Sequence, residues 1–277
     1  MKQLLVKLLA VVGLVVATSC GTAEPRAPFF VQISDPQLGF INESEDFAPE
    51  LANMERIAVA VNDLKPDFVV FSGDFVQWRT DSNALQGFEH ICGLFDESIP
   101  LYFIPGNHDV GNEASAEEVA RFVERYGHDR FLHEGAGYTA IGYNSCVIKA
   151  MTEAEGAEYE WLKASLARAA ERSLPIVVVA HHPIFAESVE EAECGENLPH
   201  QMRSKYLELL KEYGTDLALA GHLHRCESGE WQGIRLSTSA AAGRPLGSEG
   251  SGVTIVTFDE GVPTATFYEI DDIPESI

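Results

Sequence analysis

Five short runs of β-branched and aromatic residues, each stopping at Asp, Asn, Gln or His, constrain the fold of this 277-residue chain more than any other feature. Phe29–Ser34 runs into Asp35-Pro36-Gln37, Asp67–Ser72 into Gly73-Asp74, and Leu101–Ile104 into Pro105-Gly106-Asn107-His108-Asp109. Pro175–Ala180 runs into His181-His182-Pro183, and Asp216–Ala220 into Gly221-His222-Leu223-His224. Such apolar runs bounded by turn residues are buried strands. Between them, residues 49–64 carry Leu51, Met54, Ile57, Ala58, Val61 and Leu64 at helical spacing. Helices are also predicted over 83–96, 115–126 (Ser115 as N-cap, Glu118 completing a capping box), 154–172 and 202–213. Strands alternating with helices define an α/β fold. One or two strands are predicted over 138–148 and three or four over 233–270, with an acidic irregular loop at 184–200 lying over a site.

In open α/β sheets, sites form outside the carboxyl ends of the strands, on loops held by a rigid frame. If the five strand ends share one edge, Asp35, Gln37, Asp74, Asn107, His108, His181, His182, His222 and His224 converge. Five of the nine histidines fall in these stretches, so their clustering is not composition alone. Singly, a Gly-Asp is a turn and a His-His-Pro a core or capping histidine. Jointly, each after a strand, they form a metal site.

The ordered set Asp35-Pro36-Gln37, Gly73-Asp74, Gly106-Asn107-His108-Asp109, His181-His182-Pro183 and Gly221-His222-Leu223-His224 resembles the calcineurin-like metallophosphoesterase superfamily over residues 29–270. Gln37 stands where the superfamily usually has histidine. With Gly39, Arg225, Trp161-Leu162 and Ser239–Gly243, it makes the chain similar to one subgroup, animal serine/threonine phosphatases and their bacterial relatives. The resemblance implies a four-layer αββα sandwich and two divalent metal ions, of Mn, Fe, Zn or Mg. It implies Asp35, Gln37, Asp74 and His224 as ligands of the first. It implies Asp74, Asn107, His181 and His222 as ligands of the second, with Asp74 bridging. His108 would sit beside the metals without binding them, and His182 is passed over because the family ligand lies two residues before the proline.

These residue types suit the chemistry. Two cations ~3.5–4 Å apart clamp phosphoryl oxygens and acidify a water. Imidazole suits Zn, Fe and Mn, while carboxylate and amide oxygens suit Mn and Mg. A Gln37 oxygen is a weaker and harder donor than imidazole, which biases the first site towards Mn²⁺ or Mg²⁺, unless Gln37 only hydrogen-bonds a metal-bound water. His108 is the catalytic candidate for protonating the leaving oxygen, with Asp109 to orient it or to raise its pKa through its negative charge. Arg225 is the first candidate for holding substrate phosphate, with Arg79, Arg203 and Arg244 near the other motif loops.

With 43 acidic against 19 basic residues the net charge is −24, which disfavours a polyanionic nucleic-acid partner. The expected substrate is a phosphoester, a phosphomonoester or phosphoprotein before a phosphodiester. The rival outside enzymology is a non-catalytic protein binding a metal or phosphorylated ligand on the same scaffold.

Residues 1–19 read as a lipoprotein signal peptide, with Lys2 and Lys7 ahead of an apolar stretch too short to span a bilayer. Ala17-Thr18-Ser19-Cys20 resembles a bacterial lipobox, so Cys20 is the expected lipidation site, residues 20–28 a tether and 29–272 the folded domain. Removal of the leader takes the net charge to −26. The implied location is the bacterial cell envelope, on the periplasmic face or outer surface, with the lipid as the one membrane contact. Export would oxidise cysteines: Cys194 and Cys226 are the first pair expected to bridge, beside the alternative that these two, Cys92 and Cys146 all stay free.

Overall fold

Residue alternation along the strands dictates the layers. In the computed structural model, which describes residues 26–42 and 46–277, Phe29, Val31 and Ile33 point one way and Phe30 the other. The expected signal peptide, Cys20 and most of the tether lie outside the described residues.

The first sheet contains β1 (Phe29–Ile33), β2 (Val69–Ser72), β3 (Leu101–Ile104), β10 (Gly252–Asp259) and β11 (Val262–Glu269), in the order β11-β10-β1-β2-β3. The second contains β4 (Phe131–Glu134), β5 (Thr139–Gly142), β6 (Ile176–Val179), β7 (Leu217–Ala220), β8 (Ser228–Trp231) and β9 (Ile234–Thr238), in the order β4-β5-β6-β7-β9-β8. β1, β2 and β3 are parallel, as are β5, β6, β7 and β9. The helices are α1 (Ala48–Leu64), α2 (Ser82–Cys92), α3 (Asn107–Val110), α4 (Ala116–Tyr126), α5 (Ser145–Lys149), α6 (Glu155–Glu171) and α7 (His200–Glu212).

Phe30, Val70 and Val256 of the first sheet share one apolar cluster with Ala140, Val177, Val179, Leu217 and Leu219 of the second. The sheets therefore pack face to face. Their other faces carry Val31, Ile33, Val69 and Phe71, or Ile141, Ile176 and Val178, which cluster with Met54, Ile57 and Val61 of α1, Leu162 and Leu166 of α6, and Leu207 and Leu210 of α7. Each such side chain stabilises the fold by ~1.5–3 kcal/mol through apolar burial. The result is the expected four-layer αββα sandwich, with two sheets between helices.

Local chemistry explains the departures from the sequence reading. Residues 145–149 form α5 rather than strand, because the Asn144 side chain accepts from Cys146 N and Val147 N and caps a helix there. Asn107–Val110 is a turn of helix rather than loop. Ser115 caps α4 through Glu118 N, but the Glu118 carboxylate pairs with Arg79 and Arg121 and does not close the capping box. β4 was not anticipated.

Cys92, Cys146, Cys194 and Cys226 are all free, so the first-choice bridge is corrected. Cys194 is exposed on the loop after β6, and Cys226 is half-buried beside Ser237, Thr238 and Thr254. Among the described residues, no helix is long and apolar enough to cross a membrane.

Candidate metal centre

Parallel register places the carboxyl ends of β1, β2 and β3 side by side, and likewise those of β6 and β7. Beyond the strands the backbone pairing continues: Asp35 N donates to Gly73 O (3.2 Å), Gln37 N to Asp74 O (2.9 Å) and Gly221 N to His181 O (3.0 Å). The two sheets are tied across this edge. His222 N donates to Asp35 Oδ2 (3.0 Å) and Ala242 N to Ser34 O (2.8 Å).

The loops take conformations that aim side chains inwards. Asp35, Gln37, Asp74, His222 and His224 all have positive φ, between 38° and 69°. Such backbone is costly for residues other than glycine and persists where the surroundings over-determine it. At Gly106 a Cβ would overlap the Asp74 carboxylate, and at Gly221 it would overlap Ser34 Oγ. Only glycine lets those loops approach so closely.

Four expected ligands of the second cation meet at one point. His181 Nε2 lies 3.1 Å from Asn107 Oδ1, 3.1 Å from His222 Nδ1 and 3.3 Å from Asp74 Oδ2. For the first cation, His224 Nε2 lies 3.4 Å from Asp35 Oδ1. Candidate donor atoms of Asp35, Asp74 and His181 all fall within 4.8 Å of one another. Donors ~2.1 Å from a tetrahedral ion are about 3.4 Å apart, so these separations match a coordination shell.

The second ring nitrogens decide which atoms face inwards. His181 Nδ1 lies 2.9 Å from Ser72 O, His224 Nδ1 2.7 Å from Arg244 O, and His222 Nε2 3.1 Å from Gly195 O. When the rings are neutral, as a cation requires, each of these nitrogens donates to a carbonyl and the lone pair is left on the inward nitrogen, the arrangement that orients metal-binding imidazoles. Asp35 Oδ1 and Gln37 Oε1 are buried without a hydrogen-bond donor. Inward-facing acceptors oppose inward-facing acceptors, and cations relieve that arrangement. The residues therefore fit a dinuclear centre of divalent ions.

Without ions, the charges settle into pairs. Burial opposes ionisation of Asp74, but His181, then His108 and His222, hold its carboxyl well below the usual carboxylate range. Burial likewise acts against Asp35, and His224 holds it below its ordinary value. Burial would lower His181, but Asp74 and then Asp35 raise it to about 9. Burial and then His181 push His222 down to about 4.

Asp35, Gln37, Asp74, Asn107, His181, His222 and His224 are thus brought together as expected. His182 lies in the same group, its ring 4.4 Å from that of His222 and its Nδ1 3.4 Å from Ser145 Oγ. Burial, with His222 and His181, holds it well below its ordinary pKa, so it packs as a neutral ring.

His108 sits beside the cluster, its backbone N 2.8 Å from Asp74 Oδ1. Its Nδ1 meets Gln77 O at 2.8 Å rather than Asp109. The Asp109 assignment is therefore corrected: its carboxylate accepts from Asp74 N (2.7 Å), Phe75 N (2.9 Å) and Gly106 N (2.8 Å), holding two ligand loops together.

Arg225 is corrected too. Glu196 and Glu227 occupy its guanidinium at 2.9 Å each, and Arg203 is buried, donating to Val189, Glu191 and Leu198 carbonyls. Arg79 pairs with Glu118. Exposed Arg244 lies 5.5 Å over the Phe40 ring, which meets His224 edge-on at 5.3 Å.

The acidic loop does lie against the site. The Glu191 carboxylate gathers the N–H groups of Ala186, Glu187 and Ser188, and the loop brings Gly195 O to His222. A cleft of about 250 Å³ opens there, lined by Asn107, Gly111, Lys149, Gly195 and His222. Gln77, Ser145 and Gly195 were missed from sequence; they act through a backbone carbonyl, an amide or a lone hydroxyl, and no residue pattern marks them.

A family model described as calcineurin-like phosphoesterase matches residues 30–226. The serine/threonine-protein phosphatase CPPED1 of Homo sapiens is 28% identical, covering 91% of this chain and 87% of that protein. The probable glycerophosphodiester phosphodiesterase GpdQ of Arcobacter nitrofigilis is 30% identical, over 65% of this chain and 66% of its own. Among solved structures, a dimetal phosphatase from Danio rerio superposes with a TM-score of 0.66 at 11% identity, covering 89% of this chain and 97% of that one. A purple acid phosphatase from yellow lupin gives 0.67 at 16% identity, over 90% of this chain and 52% of its own. Strand-end chemistry, layer order and relatives converge on one assignment: this chain belongs to the calcineurin-like phosphoesterase family and is a hydrolase of phosphoesters.

Proposed function

We propose that the protein is a phosphomonoesterase, acting on small phosphomonoesters or phosphoproteins, and that its chain is anchored by a lipid on Cys20 to the bacterial cell envelope. The observation that carries the catalytic reading is the cluster of donor atoms: His181 Nε2 within 3.3 Å of Asn107, His222 and Asp74, and His224 Nε2 3.4 Å from Asp35, with the outer nitrogens of all three imidazoles committed to carbonyls. Asp35, Gln37, Asp74 and His224 would hold one divalent cation and Asp74, Asn107, His181 and His222 the other. When bound, the pair supplies Lewis-acid charge against the phosphoryl oxygens and acidifies water. The oxygen-rich first set suits Mn²⁺ or Mg²⁺, and the second, with two imidazoles, suits Zn²⁺, Fe²⁺ or Mn²⁺.

The protein's own groups do the rest. Gln77 O holds His108 at Nδ1, so the proton passed to the leaving oxygen comes from Nε2 of the protonated ring. Arg244, resting on Phe40 beside His224, is the arginine placed to meet substrate phosphate. The phosphatase relatives support a monoester, and the glycerophosphodiester phosphodiesterase relative makes the diester the alternative outcome.

Comparing p-nitrophenyl phosphate with bis-p-nitrophenyl phosphate on Mn²⁺-loaded enzyme, with Asp74→Asn as blank, tests the assignment. Faster diester turnover would reverse it. For the anchor, Cys20→Ala should release the protein from membranes to the soluble envelope fraction; unchanged membrane association would remove the lipid from the account.

A further inference from the structure

We propose that Gln77 is a positioning residue that makes a glutamine workable at position 37, by holding the nitrogen end of the Gln37 amide so that its oxygen end is left free for the first cation. This rests on the reading of Gln37 as a donor to the first cation. A carboxamide has two ends of nearly equal size, and its nitrogen offers no lone pair to a metal. Something must therefore bias the half-turn about the last side-chain bond.

The fold sets Gln77 at the nitrogen end of that amide. Past the ends of β1 and β2 the chains stay parallel: Leu38 bridges to Val76, Gln77 N donates to Leu38 O (2.9 Å), and Gln37 N donates to Asp74 O (2.9 Å). Residues 37 and 77 are thereby set side by side. Gln37 Nε2 donates to Gln77 Oε1 at 2.9 Å, and Gln37 Oε1 is left buried without a donor. Outer groups of this kind orient ligands, and their loss weakens metal binding by ~10–100-fold.

Titration of the ion-free full chain with Mn²⁺ alone, followed calorimetrically, tests this without reference to turnover. Gln77→Leu removes the acceptor at similar size and should weaken one of the two Mn²⁺ equilibria by ~10–100-fold, leaving the other unchanged. Gln77→Glu keeps an acceptor and should restore it. Gln77→Met repeats the loss with a different shape, and melting of each ion-free variant checks that it folds. In the Gln37→Ala background, Gln77→Leu should cause no further weakening.

Mn²⁺ affinities unchanged by both Gln77→Leu and Gln77→Met would overturn the proposal, as would a full additional loss in the Gln37→Ala background. If Gln37→Ala alone leaves both equilibria intact, the donor reading of Gln37 falls first. If Gln37→Ala weakens binding and the Gln77 variants do not, only the role of Gln77 falls.

Discussion

His181 Nδ1 lies 2.9 Å from the carbonyl oxygen of Ser72, so the last residue of β2 in one sheet fixes the histidine that follows β6 in the other. The two halves of the sandwich are therefore joined at the chemistry itself. Packing that shifts one sheet against the other would rotate this ring and displace its inward nitrogen from Asp74 and Asn107.

The His108 ring is held by Gln77 O, and its backbone N donates to Asp74 Oδ1 at the edge of the cluster. His108→Gln should lower kcat by about 10²–10⁴-fold on alkyl phosphates, the usual size of a general-acid contribution. The loss should be smaller on p-nitrophenyl phosphate, whose leaving group needs little protonation. Equal losses on both substrates would show that His108 acts otherwise.

The ion-free protein should be pH-sensitive between about 6.5 and 9. Burial acts against the His181 charge, but Asp74 raises its pKa to about 9. A histidine raised in the folded state stabilises fully below its unfolded value, and that stabilisation is lost as pH rises through the folded value. The melting temperature should fall across this window. At pH 7, binding of the cations should release the His181 proton, with a further contribution from His224, which Asp35 raises against the effect of burial, and above pH ~10 His181 should release none. Calorimetry in two buffers of different ionisation heat measures the count.

The four described thiols should differ sharply in reactivity. Burial pushes Cys92 up to about 12, Cys226 up to about 11 and Cys146 well above the ordinary thiol range, while Cys194 is exposed. Thiolate is the reactive form. Iodoacetamide at pH 8 should modify Cys194 first in the folded protein, and peptide mapping identifies the residue.

Asp109 serves backbone rather than substrate, accepting three N–H groups from the loops that carry Asp74 and Asn107. Asp109→Ala should destabilise the fold by roughly 3 kcal/mol, since each stranded buried donor costs about 1–3 kcal/mol. Urea unfolding of the ion-free protein reads this directly. A stable variant with only an altered pH–rate profile would return Asp109 to the reaction.

The strands and the convergence of polar side chains at their ends were legible because both depend on short-range pattern, whereas the four-layer order and the choice of seven ligands came from the family resemblance. Apolar runs mark strands, and polar residues after them mark the sheet edge. The second ring of contacts was not legible. Gln77 reaches Gln37 through a parallel extension beyond the strands, and Gly195 reaches His222 through its carbonyl, which any residue possesses. The four arginines were separable only in three dimensions, where glutamates occupy Arg79 and Arg225, loop carbonyls occupy Arg203, and Arg244 lies on an aromatic ring. Asp109 misled because adjacency in sequence implied adjacency to the His108 ring, whereas α3 turns the carboxylate back towards Gly106.

The left-handed backbone at Asp35, Gln37, Asp74, His222 and His224 sets this fold's interest in durability against its interest in turnover. Glycine adopts such torsions freely, whereas other residues pay ~1 kcal/mol or more for them. In ion-free protein, Gln37→Gly should therefore melt at a higher temperature than Gln37→Ala, which loses the same buried side chain but keeps the strained torsion, while both lose turnover. Selection for heat resistance alone would erode these positions first, and a thermostable descendant that kept all five would have had to find its gains elsewhere in the sandwich.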